Sequence, residues 1–193
     1  MITYLVKIKW LLETQFLRFR GMRIGKYSYV ANTLFIHGVN RVLIADKVRI
    51  FPGVRMETHQ DGYIDIHEDV SIGQNFHITS AGDRLKIGAH TTISGNVFIT
   101  NIDHDYREVG RHILKQPLLV RHTEIGENCF IGYGAAIQAG TVLGRQCIVG
   151  ANSVVRGEFP DYCVIVGAPA RIVKRYNPVS CLLYTSDAAD DKA

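Results

Sequence analysis

His104 stands between two aspartates, Asp103 and Asp105, in the stretch NIDHDYREVGRHILKQPLLVRH that runs from Asn101 to His122. An imidazole ionises near neutral pH, so a histidine on a polar loop can take a proton from an attacking hydroxyl. General-base help of that kind typically contributes ~10²–10⁴ in rate. Asp103 or Asp105 could orient the ring, and a backbone carbonyl would serve as well. The plainer alternative is a surface histidine in a polar loop. The same stretch carries Arg107, Arg111 and His112 and ends on His122, and three converging imidazoles would instead hold a metal. The four cysteines offer less chemistry, because the chain has no CxxC pair. Cys129 and Cys147 lie eighteen residues apart and read as small buried apolar groups.

The loop stands out because its surroundings are regular. From Ile125 every sixth residue is aliphatic: Ile125, Ile131, Ile137, Leu143, Val149 and Val155. Glycine usually follows, and a small residue stands four positions on, as at Cys129, Ala135, Thr141, Cys147 and Ser153. A period of six fits neither a helix nor a flat alternating strand. It fits a chain that turns a corner every six residues and stacks its coils into a β-solenoid. Three sides give an eighteen-residue coil, which places Cys147 directly over Cys129, with coils about 4.8 Å apart. Earlier hexads run through Ile44, Ile50 and Met56, then Ile66, Ile72 and Ile78, then Ile87, Ile93 and Ile99. Breaks at Gln60-Asp61-Gly62 and Ser80-Ala81-Gly82-Asp83 predict loops extruded from a corner. Residues 101–122 form a much longer excursion of that kind, more often functional than not.

With 193 residues, 47% of them apolar, and a formal net charge of +4, the chain predicts one domain with a real core and no nucleic-acid surface. Residues 1–21 predict a helical cap over the open first coil, with an apolar stripe of Ile2, Leu5, Trp10, Leu12 and Phe16. Its basic remainder, Lys7, Lys9, Arg18 and Arg20, leaves a peripheral membrane contact through residues 2–20 as a second use. Lys7, Lys9 and Glu13 interrupt both a signal-peptide core and a membrane span, so the expected location is cytoplasmic. Residues 177–193 lack periodicity and are expected to be a disordered tail that need not be native.

Four features follow one another in order: the hexads, the loop NIDHDY, the block EIGENCFIGYGAAIQAGTVLGRQCIVGANSVV and the exit motif VGAPARIVK. Together they make residues 22–176 resemble the hexapeptide-repeat acyltransferases of the left-handed β-helix type. The resemblance is strongest to the sugar O-acetyltransferases, the maltose and galactoside branch and the enzymes that decorate surface polysaccharides. It implies an all-β solenoid whose coil is left-handed, an exception to the usual crossover rule. It also implies a homotrimer with an active site in each cleft between neighbours, acetyl-CoA as cosubstrate and no metal. The implied reaction is direct acetyl transfer, in a ternary complex, to a hydroxyl of a sugar or polysaccharide precursor.

Carried over residue by residue, the resemblance makes His104 the general base, with Asp103 or Asp105 beside it. The backbone near Gly132 and Tyr133 would supply the amide that stabilises the thioester oxygen, a donor worth ~3–4 kcal/mol elsewhere. Ala151 would line the pantetheine track, and Arg156 and Lys174 would meet phosphates, supported by Arg171 and Arg175. Phe130 replaces the family's common tryptophan, keeping apolar contact and losing the indole hydrogen bond. His77 lies near the position of an acceptor-binding asparagine, but the following segment is shorter here and that role is not carried over. The alternatives are transfer to an amine or antibiotic, a metal-dependent hydratase of the γ-carbonic-anhydrase kind, and a non-catalytic trimeric scaffold.

Overall fold

The computed structural model describes residues 4–177 and 182–185. Its sixth-residue aliphatics all turn inward, and Ile125, Ile131, Ile137, Leu143, Val149 and Val155 are buried. Each hexad contributes a short strand such as Glu124–Ile125, Phe130–Ile131 or Ala136–Ile137, one side chain outward and the next inward. The strands stack in parallel, so that Ile87, Ile125 and Leu143 form one ladder and Ile99, Ile137 and Val155 another. Three sheets result, the walls of a left-handed parallel β-helix of about six turns. The first face runs from Arg23–Ile24 to Glu158–Phe159, the second begins at Tyr29–Val30, and the third runs from Phe35–His37 to Val154–Val155. Cys129, Cys147 and Cys163 are free and buried in the corner slots.

All three edges turn through residues of positive φ. Between the second and third faces these are Asn32, Gly53, Asn75, Asn96, Gly134 and Asn152. Glycine lacks the Cβ that clashes in this region, and asparagine tolerates it better than other residues. The edge between the first two faces is less choosy and forces Tyr27, Lys47 and His90 into the same conformation.

The third edge, between the third and first faces, absorbs every irregularity. The coil from Ile125 holds eighteen residues and brings it to face Leu143, whereas Ile44 faces Ile66, twenty-two residues on, and Leu143 faces Phe159, only sixteen on. The breaks near residues 60 and 80 are therefore not the extruded loops that the sequence predicts. Strands Arg55–His59 and His77–Ala81 run longer than their neighbours and then turn tightly. From the same edge, residues 101–122 project as a hairpin. Ile102–His104 pairs antiparallel with Leu118–Val120, and a 3₁₀ turn at Ile113–Lys115 lies beyond.

The helix Tyr4–Phe19 covers the first coil. Glu13 accepts the backbone N–H of Asn32 and Thr33 at 2.6 and 2.7 Å, Thr14 Oγ1 accepts that of Val30, and Arg18 donates to the carbonyls of Ile24 and Gly25. These bonds occupy backbone groups that an open rung would leave orphaned. Gly21, at φ 97°, ends the helix with a left-handed turn. The buried face is Trp10, Thr14 and Leu17, with Trp10 stacked on Tyr29. Of the predicted stripe only Trp10 is buried; Leu5, Leu12 and Phe16 point to solvent, and Ile2 lies outside the described residues. Hydrogen-bonding groups had to face the rung, so Thr14 took a core position that an apolar pattern does not reveal. At the other end, Cys163–Gly167 returns as Ala170–Asn177, which pairs with Leu182–Thr185. Those strand residues depart from the disordered tail that the sequence predicts over 177–193, and the rest of that segment lies outside the described residues.

Candidate active site

His104 ends the first strand of the hairpin with its side chain exposed. Neither flanking carboxylate meets its ring. Asp103 is held by Arg156, at the end of the third face, and lies 3.6 Å from Arg121. Asp105 receives Arg107 through Nε and Nη2 at 2.9 and 2.6 Å, and that guanidinium keeps its carboxyl well below the usual range. Successive strand side chains alternate sides, so residues 103 and 105 face away from residue 104. The orienting role expected of Asp103 and Asp105 is absent in this geometry. The two carboxylates brace the hairpin instead, and Asp103–Arg156 ties it to the coil.

Two hollows flank His104. One, of about 380 Å³, is lined by Arg107, Arg121 and Arg156 with the two aspartates. The other, of about 620 Å³, lies between the hairpin and the third face, where His104 and Leu118 look across to Glu57, His59, His77 and Phe98. Glu57 is the hub of this second hollow, with its side chain only 14% exposed. Its carboxylate meets Arg55 at 2.5 Å, His77 Nε2 at 3.2 Å and His59 Nε2 at 3.3 Å. Burial opposes its ionisation, but the hydrogen bonds and the Arg55 charge outweigh that and hold its pKa below the ordinary glutamate value. His37 stacks on His59 with centroids 4.9 Å apart, and His77 packs on Phe98.

This cluster is invisible to hexad reading, which tracks the inward positions. Glu57 pairs in register with Thr79, and Arg55 with His77, only because the coil here holds twenty-two residues. The one local signal is the outward alternation of Arg55, Glu57 and His59 within a single strand. Arg121 carries no such signal.

The residues expected along the cofactor lie on another edge. Gly132 and Tyr133 turn the corner between the second and third faces, and Ala151 turns it one coil later. The Gly132 N–H already donates to Val149 O at 2.8 Å, so it cannot serve as the expected oxyanion donor. No acceptor takes the Tyr133 N–H among the described residues. A Cβ on Gly132 would stand 2.6 Å from Ala151 N, which explains the glycine. Lys174 lies on the Ala170–Asn177 strand against the second face, exposed. Within one chain the structure thus groups His104 with Arg156, and Tyr133 with Ala151, and keeps the two groups on separate edges.

His104, His112 and His122 do not converge. His112 Nδ1 accepts Leu114 N–H, His122 lies between Asp83 and Glu124, and among the described residues no group of three His, Cys, Asp or Glu side chains is spaced to hold a metal.

Residues 122–157 match the family model described as Bacterial transferase hexapeptide (six repeats). Over 132 residues, 65% of this chain and 67% of its relative, the sequence is 34% identical to an Escherichia coli K12 protein named "Putative lipopolysaccharide biosynthesis O-acetyl transferase WbbJ". The chain belongs to the hexapeptide-repeat family of bacterial transferases. Another relative is a serine acetyltransferase of Staphylococcus epidermidis, 32% identical over 149 residues, 72% of this chain and 65% of that one. A third, "Probable acetyltransferase Rv3034c" of Mycobacterium tuberculosis, is 32% identical over 114 residues, 59% of this chain and 38% of that one. The chain therefore spans between about a third and two thirds of these relatives' lengths. Among solved structures, AntD, an N-acyltransferase from Bacillus cereus in complex with dTDP and 3-hydroxybutyryl-CoA, superposes with a TM-score of 0.73 at 19% identity. That match covers 84% of this chain and 88% of AntD. At such identity the likeness is one of fold.

Proposed function

We propose that this chain is an acetyl-CoA-dependent O-acetyltransferase acting on a sugar or surface-polysaccharide precursor. The observation that carries the reading is the position of His104 between an arginine-lined hollow and a hollow lined by a carboxylate and imidazoles. The first suits a ligand rich in phosphate, since guanidinium groups bind phosphate oxygens in pairs. The second suits a polyol: Glu57, His59 and His77 can bond hydroxyls, and Phe98 offers an apolar face to a ring. His104 takes the proton of the acceptor hydroxyl as its oxygen attacks the thioester carbonyl. When the tetrahedral intermediate collapses, the C–S bond breaks and the proton passes to the coenzyme A sulfur. The free Tyr133 amide is the candidate donor to the developing oxyanion. Ala151 leaves room beside it for the narrow pantetheine arm, and Lys174 would meet phosphate farther along.

Tyr133 and Ala151 lie one whole face away from His104, so a second copy of the chain must bring its own edge to the hairpin. That need supports a homotrimer with three shared sites. The name of the Escherichia coli relative favours a hydroxyl acceptor in surface-polysaccharide synthesis. Glu57 also favours a second reading, because an ionised carboxylate in the acceptor hollow would pair with a protonated amine. Thiol release from acetyl-CoA against a panel of sugars, oligosaccharides and amino sugars separates the two. Turnover confined to hydroxyl acceptors, and lost in His104→Ala, is expected. Turnover only with amines selects N-acetylation, and undiminished turnover in the variant removes His104 as base.

A further inference from the structure

The helix Tyr4–Phe19 is apolar on two opposite sides. One side rests on the first coil through Trp10 and Leu17. At about 100° per residue, the direction away from the solenoid carries Leu5, Ile8, Leu12 and Phe19, with Gln15 beside Ile8 and with Tyr4, Leu11 and Phe16 toward its margins. These are large side chains in water: Leu5 is 78% exposed, Leu12 66% and Phe19 89%. Leu34, from the first coil, lines the same groove as Leu12 and Phe16 and widens the patch.

Charge frames this face in a particular way. On the same wheel Lys7 and Arg18 flank it on one side, and Lys9 and Arg20 on the other. Arg18 is turned back to the Ile24 and Gly25 carbonyls, whereas no carboxylate pairs with Lys7, Lys9 or Arg20 among the described residues. The helix's one acid, Glu13, is engaged by Asn32 and Thr33 on the solenoid side. The outward face is thus an apolar band between two basic margins. Two copies of it set face to face would bring like charges together along both margins, in either orientation.

We propose that this face docks on an anionic lipid bilayer, with the helix lying in the plane of the membrane interface. The leucines and phenylalanines enter the headgroup–acyl boundary, and Lys7, Lys9 and Arg20 meet lipid phosphates. Sixteen residues extend about 24 Å, less than the ~30 Å hydrocarbon core. No helix among the described residues is long and apolar enough to cross a membrane, so this one lies on the surface. Docking of this kind is independent of the acyl-transfer reading.

The test is co-sedimentation of the full chain with vesicles of phosphatidylcholine alone or mixed with phosphatidylglycerol. Binding to the mixed vesicles, weakened by salt, is expected. The variant Leu5→Gln/Leu12→Gln/Phe19→Gln should lower the partition coefficient on the order of tenfold or more, since three apolar side chains no longer leave water. Its Tm and its mass in sedimentation velocity should not change, because all three positions are solvent-facing. Lys7→Gln/Lys9→Gln/Arg20→Gln should lose the preference for phosphatidylglycerol. Failure of the natural chain to pellet with mixed vesicles overturns the proposal, as does unchanged pelleting of both variants. A smaller mass for the glutamine variant of the apolar positions also overturns it, by assigning the face to a subunit contact.

Discussion

His104 stands out in the sequence because a histidine at the root of a non-repeating loop contrasts with the surrounding hexads; the groups that lie beside it in space do not. Asp103 and Asp105 are neighbours in sequence, yet strand alternation turns them toward Arg156 and Arg107. The groups that share a hollow with the imidazole, Glu57 and His77, come from earlier coils whose length the hexad count does not supply. Replacing His104 with alanine is expected to lower kcat by ~10²–10⁴ with little change in the KM for acetyl-CoA, measured by thiol release. Glu57→Gln should raise the acceptor KM about tenfold, the cost of one weakened charged hydrogen bond, and leave the acetyl-CoA KM alone. It also carries a pH signature. A carboxylate whose pKa is lowered by folding contributes stability above its unfolded pKa and loses it as pH falls through the folded value. Glu57 falls in that class, held low by Arg55, His59 and His77 against its burial. Glu57→Gln should therefore unfold at a lower temperature than the natural chain near neutral pH. The gap should narrow below pH 4.5, the ordinary value for the group. A gap that widens in acid would deny that Glu57 is ionised in the fold.

At the scale of elements, period, corner and slot were all readable, since an inward aliphatic every six residues leaves few other ways to bury it. What misled was the third edge, where extra residues lengthen strands instead of forming loops, and the helix, whose docking face was chosen by hydrogen bonds. Two elements invite direct tests. Gly132 admits no Cβ, since the nearest atoms, Ala151 N and Val149 O, belong to the backbone of the next coil. Gly132→Ala should cost about 1–3 kcal/mol or more, because the rungs must part to admit the methyl. Gly110→Ala on the hairpin meets nothing within 4 Å and serves as its control, although its φ of 82° makes it strained in its own right. Differential scanning calorimetry should show the larger fall for Gly132→Ala. The hairpin's anchor is the Asp103–Arg156 pair, half-exposed on the arginine side. Asp103→Asn should shift global stability by no more than about 1 kcal/mol, as partly exposed ion pairs do. It should still release the hairpin locally, seen as faster tryptic cleavage at Arg107 and Arg111. Equal cleavage rates would mean that Asp105, which binds Arg107, and Gln116, whose Nε2 donates to the Glu108 and Arg111 carbonyls, hold the hairpin without it.

For the whole molecule the decisive fact is a separation. The imidazole and the open amide belong to different edges of one prism, with the full width of the third face between them. No rotation of the hairpin needs to close that gap if a neighbouring copy presents its Tyr133 edge to the His104 hairpin. Two inactive variants then become complementary. His104→Ala removes the proposed base and keeps the Ala151 corner, while Ala151→Trp blocks that corner and keeps the proposed base. Refolded together in equal amounts, they form mixed assemblies in which about a quarter of the shared sites pair an intact hairpin with an intact corner. The expected result is recovery of roughly a quarter of the natural rate, which neither variant shows alone. Recovery should track co-refolding and be absent when the separately folded variants are simply mixed, because the exchange needs subunits to reassemble. No recovery after co-refolding, with a trimeric mass confirmed by sedimentation, would place the whole reaction on a single chain and end the shared-site reading.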